Sequence, residues 1–224
     1  MVRHSLLLAL AACGSAPPPQ TLSGSRSEPA SRVRLPEELP VGDAACVGFT
    51  GARDGALVVT TRSDRFAGNG GETVVWLGFV MADGAPAPFE LDHHVEATDA
   101  AAWQSERAAL EAKLSAITLG PCVEVAASDE GWTLDGGARL AVEWDPSPAV
   151  NADEDLGNDQ AISGRVRLAS RTIATLTTGP HDGSDHEELS EVYRSEDGRA
   201  IALVIRNSDT GLSSQRVVVA RTRK

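Results

Sequence analysis

Four side chains with metal-binding chemistry fall close together in the chain: His181, Asp182, Asp185 and His186. Two imidazoles and a carboxylate form a donor set that suits zinc, and the enzyme such a site would support is a metal-dependent hydrolase. His186-Glu187-Glu188-Leu189 begins like the His-Glu-x-x-His zinc pattern, but the fifth position is Ser190, so the second imidazole on a helical face is missing. His93 and His94 are adjacent, and in a strand they face opposite sides, which leaves at most one of them for a shared metal. Asn151, Asp153, Asp155, Asn158 and Asp159 offer hard oxygens for calcium. Counting from Asn151, however, Gly157 is seventh and Ile162 twelfth, whereas an EF-hand loop needs Gly sixth and Glu twelfth. That segment reads as an acidic surface loop. The expectation for the chain is no resident cofactor, with a divalent metal at the histidine stretch as the alternative.

Other catalytic signatures are missing. There is no Walker-type loop and no Gly-x-Ser-x-Gly elbow. Gly68-Asn69-Gly70-Gly71 starts like a phosphate loop but lies between two strand patterns, with no helix to supply a dipole. With 32 Asp+Glu in the chain, paired carboxylates carry no diagnostic weight. The net charge of -12 in 224 residues excludes nucleic acid as a partner, because phosphate recognition needs a basic face. With only 4 Trp, 1 Tyr and 4 Phe, a carbohydrate platform of stacked rings is disfavoured, and Trp76, Trp103, Trp132 and Trp144 all sit in regular patterns where a core role is expected.

The elements that would position these groups are mostly strands. Residues 44–49 and 56–61 read as strands flanking the Asp54-Gly55 turn signal, and residues 73–80 read as a strand buried on both faces. Further strands are expected at 89–95, 122–125, 132–134, 139–144, 164–176, 191–193, 200–206 and 216–220. One amphipathic helix is expected over about residues 99–119, with Trp103, Arg107, Leu110, Leu114 and Ile117 on one stripe and Gly120-Pro121 as its stop. The segment from Asp54 and the segment from Asp197 follow a similar order of turn, apolar run and valine strand, a weak sign of duplication. The fold class expected is α+β, mostly antiparallel β-sheet with this single helix packed on it.

The N-terminus carries a different kind of signal. Met1-Val2-Arg3-His4 is a short cationic leader and residues 5–12 are apolar, an export signal too short to span a bilayer. Leu10-Ala11-Ala12-Cys13 resembles the lipobox of bacterial lipoproteins. The resemblance implies cleavage before Cys13 and acylation of that cysteine on sulfur and nitrogen, with two or three chains giving stable membrane anchoring. Gly14 follows where the family's inner-membrane retention signal would place Asp, so the expected location is the bacterial cell envelope, at the outer membrane and facing the periplasm or the exterior. Cleavage removes Arg3 and no acid, taking 20 bases to 19 against 32 acids, a net -13.

With Cys13 lipidated, Cys46 and Cys122 remain, and two cysteines in an oxidising compartment most simply form one disulfide. Pro17, Pro18, Pro19, Pro29, Pro36 and Pro40 lie among Ser, Gly and charges, which reads as a disordered tether with a root-mean-square reach of roughly 30 Å. The organisation expected is therefore a signal peptide at 1–12, a tether at 13–43 and one domain at 44–224. The functional expectation is a lipid-anchored, non-catalytic binding or interaction module whose partner is an envelope protein or ligand.

Overall fold

The computed structural model describes residues 33–38, 45–51, 54–64, 72–96, 100–145, 162–178, 186–208 and 212–222. Four strands lead to the helix: β1 (Ala45–Phe49), β2 (Gly55–Asp64), β3 (Glu72–Met81) and β4 (Asp92–Glu96), then α1 (Ala100–Leu114). Five more follow: β5 (Cys122–Glu124), β6 (Ala127–Ser128), β7 (Gly131–Thr133), β8 (Arg139–Trp144) and β9 (Ile162–Leu168). The chain ends with β10 (Arg171–Thr178), β11 (His186–Ser195), β12 (Ala200–Ser208) and β13 (Leu212–Arg221). Strands hold 61% of the described residues and helix 12%, so the α+β expectation is corrected to a predominantly β fold. The one α-helix among the described residues covers one sheet face.

The strands form one antiparallel network of 13, and part of it closes on itself. β1 pairs with β2, the end of β2 with the start of β13, then β13 with β12, β12 with β11, and β11 with β5. The circuit is completed by a bridge between Phe49 of β1 and Gly120, two residues before β5. The Phe49 N–H donates to the Gly120 carbonyl at 2.9 Å and the Gly120 N–H to the Phe49 carbonyl at 2.8 Å. Three residues before Phe49 and two after Gly120, the Cys46–Cys122 disulfide crosses the same seam, with Cα atoms 5.9 Å apart. A Cβ on Gly48 would lie 2.7 Å from Leu119 Cβ and 2.9 Å from the Gly120 carbonyl oxygen, so glycine is what lets the two sides approach.

This small six-stranded barrel is filled mainly by alanine and valine, with one phenylalanine among them. Phe49, Ala56, Val58, Ala200, Ala202 and Val219 point inward, beside Cys46, Cys122 and Tyr193. Both outer faces are covered too. Over β2, β3 and β4, the residues Leu57, Val59, Val75, Leu77 and Val95 pack against Trp103, Leu110 and Leu114 of α1. On the other side, Ile201, Leu203 and Ile205 of β12 meet Leu140, Val166, Leu168 and Leu176 of β8, β9 and β10. That layer arises because β10 and β11 pair only at Thr178 and His186 and then separate, so β6–β10 fold over the barrel wall. The strands buried on both faces are therefore β2 and β12, as their continuous apolar runs require. In β3 the burial is partial, with Trp76 only half-buried.

Three further expectations are adjusted. The helix stops at Leu114 and not near 119, because residues beyond it must turn and extend to deliver Gly120 to Phe49. The Ser115 hydroxyl donates back to the Ala112 carbonyl at 2.6 Å, which helps end the helical ladder. Residues 33–38, assigned to the tether by composition, are packed: Val33 and Leu35 are buried in the cluster that includes Trp103, Leu110 and Leu114 of α1. The Leu35 N–H donates to Glu111 Oε1 at 2.9 Å and the Trp103 indole N–H to the Pro36 carbonyl at 3.2 Å. Finally, β11 starts at His186, five residues before the strand expected from sequence.

Two barrel turns are closed by the same hydroxyl device. Thr50 Oγ1 accepts from the Gly55 N–H at 3.1 Å, and Ser195 Oγ accepts from the Ala200 N–H at 3.0 Å. Both hydroxyls are buried, where an unpaired backbone donor would be costly. The two Asp-Gly signals nevertheless differ in backbone: Asp54 itself takes the left-handed conformation (φ 47°), whereas in the second turn Gly198 does (φ 65°).

Candidate functional site

Register places the strand ends unequally. Asp64, Glu72, Glu96, Ile162, Thr178, His186, Ser208 and Leu212 come to one rim through the pairs Asp64–Glu72, Leu212–Asp64, His186–Ser208, Thr178–His186 and Thr178–Ile162. Glu96 pairs with Val74 and Trp144 with Gly164 at the same end. From this rim the chain continues into 65–71, 97–99, 146–161, 179–185 and 209–211, which lie outside the described residues. Their sequence contains Asp99, Asp153, Glu154, Asp155, Asp159, Asp182, Asp185 and Asp209 against Arg65 alone. The opposite rim carries short turns, such as Ala169–Ser170 between β9 and β10 and residues 196–199 between β11 and β12, together with the ten-residue connection 82–91 between β3 and β4.

Most of the sequence-predicted site residues fall outside the described chain. This holds for Cys13, for His181, Asp182 and Asp185, and for the whole stretch from Asn151 to Asp159. His186 is described. It opens β11, is exposed, and its Nδ1 lies 2.9 Å from Thr178 Oγ1. Among the described residues no three His, Cys, Asp or Glu side chains are grouped to hold a metal. His93 and His94 face opposite sides of β4, as strand alternation dictates. His93 Nε2 lies 2.7 Å from Glu106 Oε2 of α1, and His94 Nε2 lies 2.9 Å from Asp92 Oδ1. Asp92 also accepts the Trp76 indole N–H, and this bond first, with His94 beside it, holds its carboxyl below the usual range.

Near the rim, one ion pair replaces a missing strand. Where β10 leaves β11, the Thr177 N–H donates to Glu187 Oε2 at 2.9 Å and Arg216 donates to the Thr175 carbonyl at 2.6 Å. Glu187 and Arg216 also pair with each other, at 2.8 Å and 3.2 Å. Burial pushes the Glu187 carboxyl up, but the Arg216 guanidinium and the Thr177 N–H outweigh it and hold the carboxyl below its ordinary 4.5. A depressed carboxylate stabilises the fold above its unfolded pKa and loses that contribution as pH falls through the folded one. Unfolding midpoints should therefore drop as pH falls below 4.5, and Glu187→Gln should flatten that part of the profile. Equal slopes for the two proteins in urea titrations would show that this bond does not hold β10.

Trp144 departs from its expected core role. It is 42% exposed, the one large apolar side chain so exposed among the described residues. Its ring lies against Gly164, where a Cβ would come within 2.7 Å of the indole. The placement depends on cross-strand register, which no local pattern around Trp144 encodes.

At the opposite rim there is a cavity of about 230 Å³ lined by Leu134, Asp135, Gly136, Ala138, Arg194, Gly198, Ile201 and Thr222. In its lining, Arg194 Nη2 pairs with Asp135 Oδ2 at 3.0 Å; the arginine side chain is 21% exposed and the aspartate 71%. The Thr222 hydroxyl donates to the Gly198 carbonyl at 2.6 Å and ties the end of the chain to the turn. Asp135-Gly136 and Asp197-Gly198 mark both turns in the sequence, but nothing in either signals that Gly136 and Gly198 line one cavity with Arg194.

Compared with known proteins, the chain matches no protein family, no curated protein and no solved structure.

Proposed function

We propose that this chain is a lipid-anchored protein of the bacterial cell envelope, held by Cys13, whose β-barrel is a binding module. Its partner-facing surface is the rim that carries the acidic connections. The composition of the connections that leave this rim supports this reading most directly: binding residues concentrate in the segments that join the elements of a rigid scaffold. Here a filled barrel, covered on both outer faces, is that scaffold. Eight acids against one base in those connections fit a partner with a cationic surface, which such a field attracts and orients. The partner class is an envelope protein, and nucleic acid is not among the candidates.

The anchor is tested by intact-mass analysis of the protein extracted from envelopes. The expected species begins at residue 13 and carries the mass of two or three acyl chains, and Cys13→Ser releases the protein from the membrane fraction. An unmodified N-terminus preceding Cys13, with unchanged fractionation of Cys13→Ser, would remove the lipoprotein reading.

A further inference from the structure

We infer that the barrel stands with its acidic rim directed away from the membrane, so that the cationic partner of that rim is a protein met on the aqueous side and not a neighbour embedded in the same bilayer. This rests on the lipid anchor at Cys13 and follows from the path of residues 33–38 along α1. The Leu35 N–H donates to Glu111 Oε1 at 2.9 Å, the Trp103 indole N–H to the Pro36 carbonyl at 3.2 Å, and the Gln104 amide to the Glu37 carbonyl. Advancing along this strap from 35 to 37 moves back along the helix from 111 to 104, about 10 Å at ~1.5 Å per residue. Strap and helix are antiparallel.

The helix itself runs from one rim toward the other. It begins four residues after Glu96, on the acidic rim, and the chain beyond its end reaches Gly120, which bonds to Phe49. Phe49 pairs with Ala56, next to Gly55, where β2 starts at the opposite rim. The strap therefore enters at Val33 from the side of the opposite rim and points toward the acidic rim at residue 38. The direction of β1 agrees, since it starts beside Val59 and runs back to Ala56. Val33 and Leu35 are buried, which fixes the point of entry.

Attachment at one end orients the body. With 33–38 packed, at most residues 13–32 remain between anchor and barrel. A linker of that length with coil statistics has a root-mean-square reach of about 25 Å. β2 crosses from rim to rim in 10 residues, roughly 30 Å. To bring the acidic rim onto the bilayer, the linker would have to run the height of the barrel, beyond its ordinary reach. Charge acts in the same direction. The acidic connections repel an anionic lipid surface, whereas at the opposite rim Arg194, Arg199 and Arg221 are each paired with an acid, Asp135, Asp197 and Asp54.

The orientation is tested with the full chain extracted from envelopes and reconstituted in phosphatidylcholine vesicles containing phosphatidylglycerol and an acceptor-labelled lipid. A donor dye is carried by Ser170→Cys or Ser208→Cys, both exposed positions at opposite rims. Energy transfer to the lipid should be at least about twofold stronger from position 170, because the two donors differ in height by roughly 30 Å. Twenty Gly/Ser residues inserted after residue 32 raise the reach to about 35 Å and should shrink that ratio. Equal transfer from both positions, or more from position 208, in protein that floats with the vesicles would overturn the orientation and leave the anchor standing. A ratio untouched by the insertion would overturn the tether as the orienting element. Protein left behind when the vesicles float would remove the anchor reading, and this inference with it.

Discussion

Replacing Cys46 and Cys122 together by alanine is expected to lower the unfolding free energy by about 4 kcal/mol, the chain-entropy value for so long a loop. The two cysteines are 76 residues apart and their bond crosses the barrel seam. That seam otherwise has two backbone hydrogen bonds, those between Phe49 and Gly120. Every other junction of the circuit is a run of at least three cross-strand pairs. For a unit of this size the loss corresponds to a melting point lower by roughly 8–16 °C. The denaturant slope should rise at the same time, because the unlinked unfolded chain exposes more surface. Hydrogen exchange should accelerate first in β1 and β5 and last in β12. Unchanged stability, or free-thiol labelling of both cysteines in the unfolded, unreduced protein, would contradict this.

The second large effect concerns β12. Leu203→Ala should cost about 2–5 kcal/mol, because the leucine is fully buried between β12 and the β8–β10 layer. Ala202 points the other way, into the barrel, and is equally buried. Ala202→Asn should cost about 2–4 kcal/mol, through overpacking and an unpaired amide. In a sheet with one face in water, one of two adjacent positions tolerates substitution. Here neither should, and a neutral result at either position, read from urea unfolding midpoints, would show that face to be open.

Residue pattern revealed most of the elements and little of how they assemble. The runs at 56–61 and 200–206 announce strands, although burial on both faces is expected of 73–80 and is found in β2 and β12 instead, and the Trp103, Leu110, Leu114 stripe announces the face of α1 that is buried. The cysteine pairing followed from counting thiols, and Cys46–Cys122 is the bond observed. Closure of the barrel was not legible, because it depends on Phe49 meeting Gly120 across 71 residues, and local periodicity carries no information at that range. The first half of β11 was missed for a related reason. His186-Glu187-Glu188 reads as a polar loop, yet Glu187 is tied down by Arg216 and by a backbone amide of β10, partners distant in sequence. Trp144 shows the converse failure: an aromatic in a strand pattern is expected inside, but it sits at the rim, where β8 ends.

The claim that the acidic rim faces a partner is tested most directly in intact envelopes. A photo-reactive phenylalanine analogue is placed at Ser208, on that rim, or at Ser170, in a turn of the opposite rim; both positions are exposed. The account predicts a discrete protein adduct from Ser208, lost when Asp153, Glu154, Asp155 and Asp159 are changed to their amides, and no adduct from Ser170. Adducts from Ser170 with none from Ser208, or a Ser208 adduct indifferent to the amide changes, would contradict it.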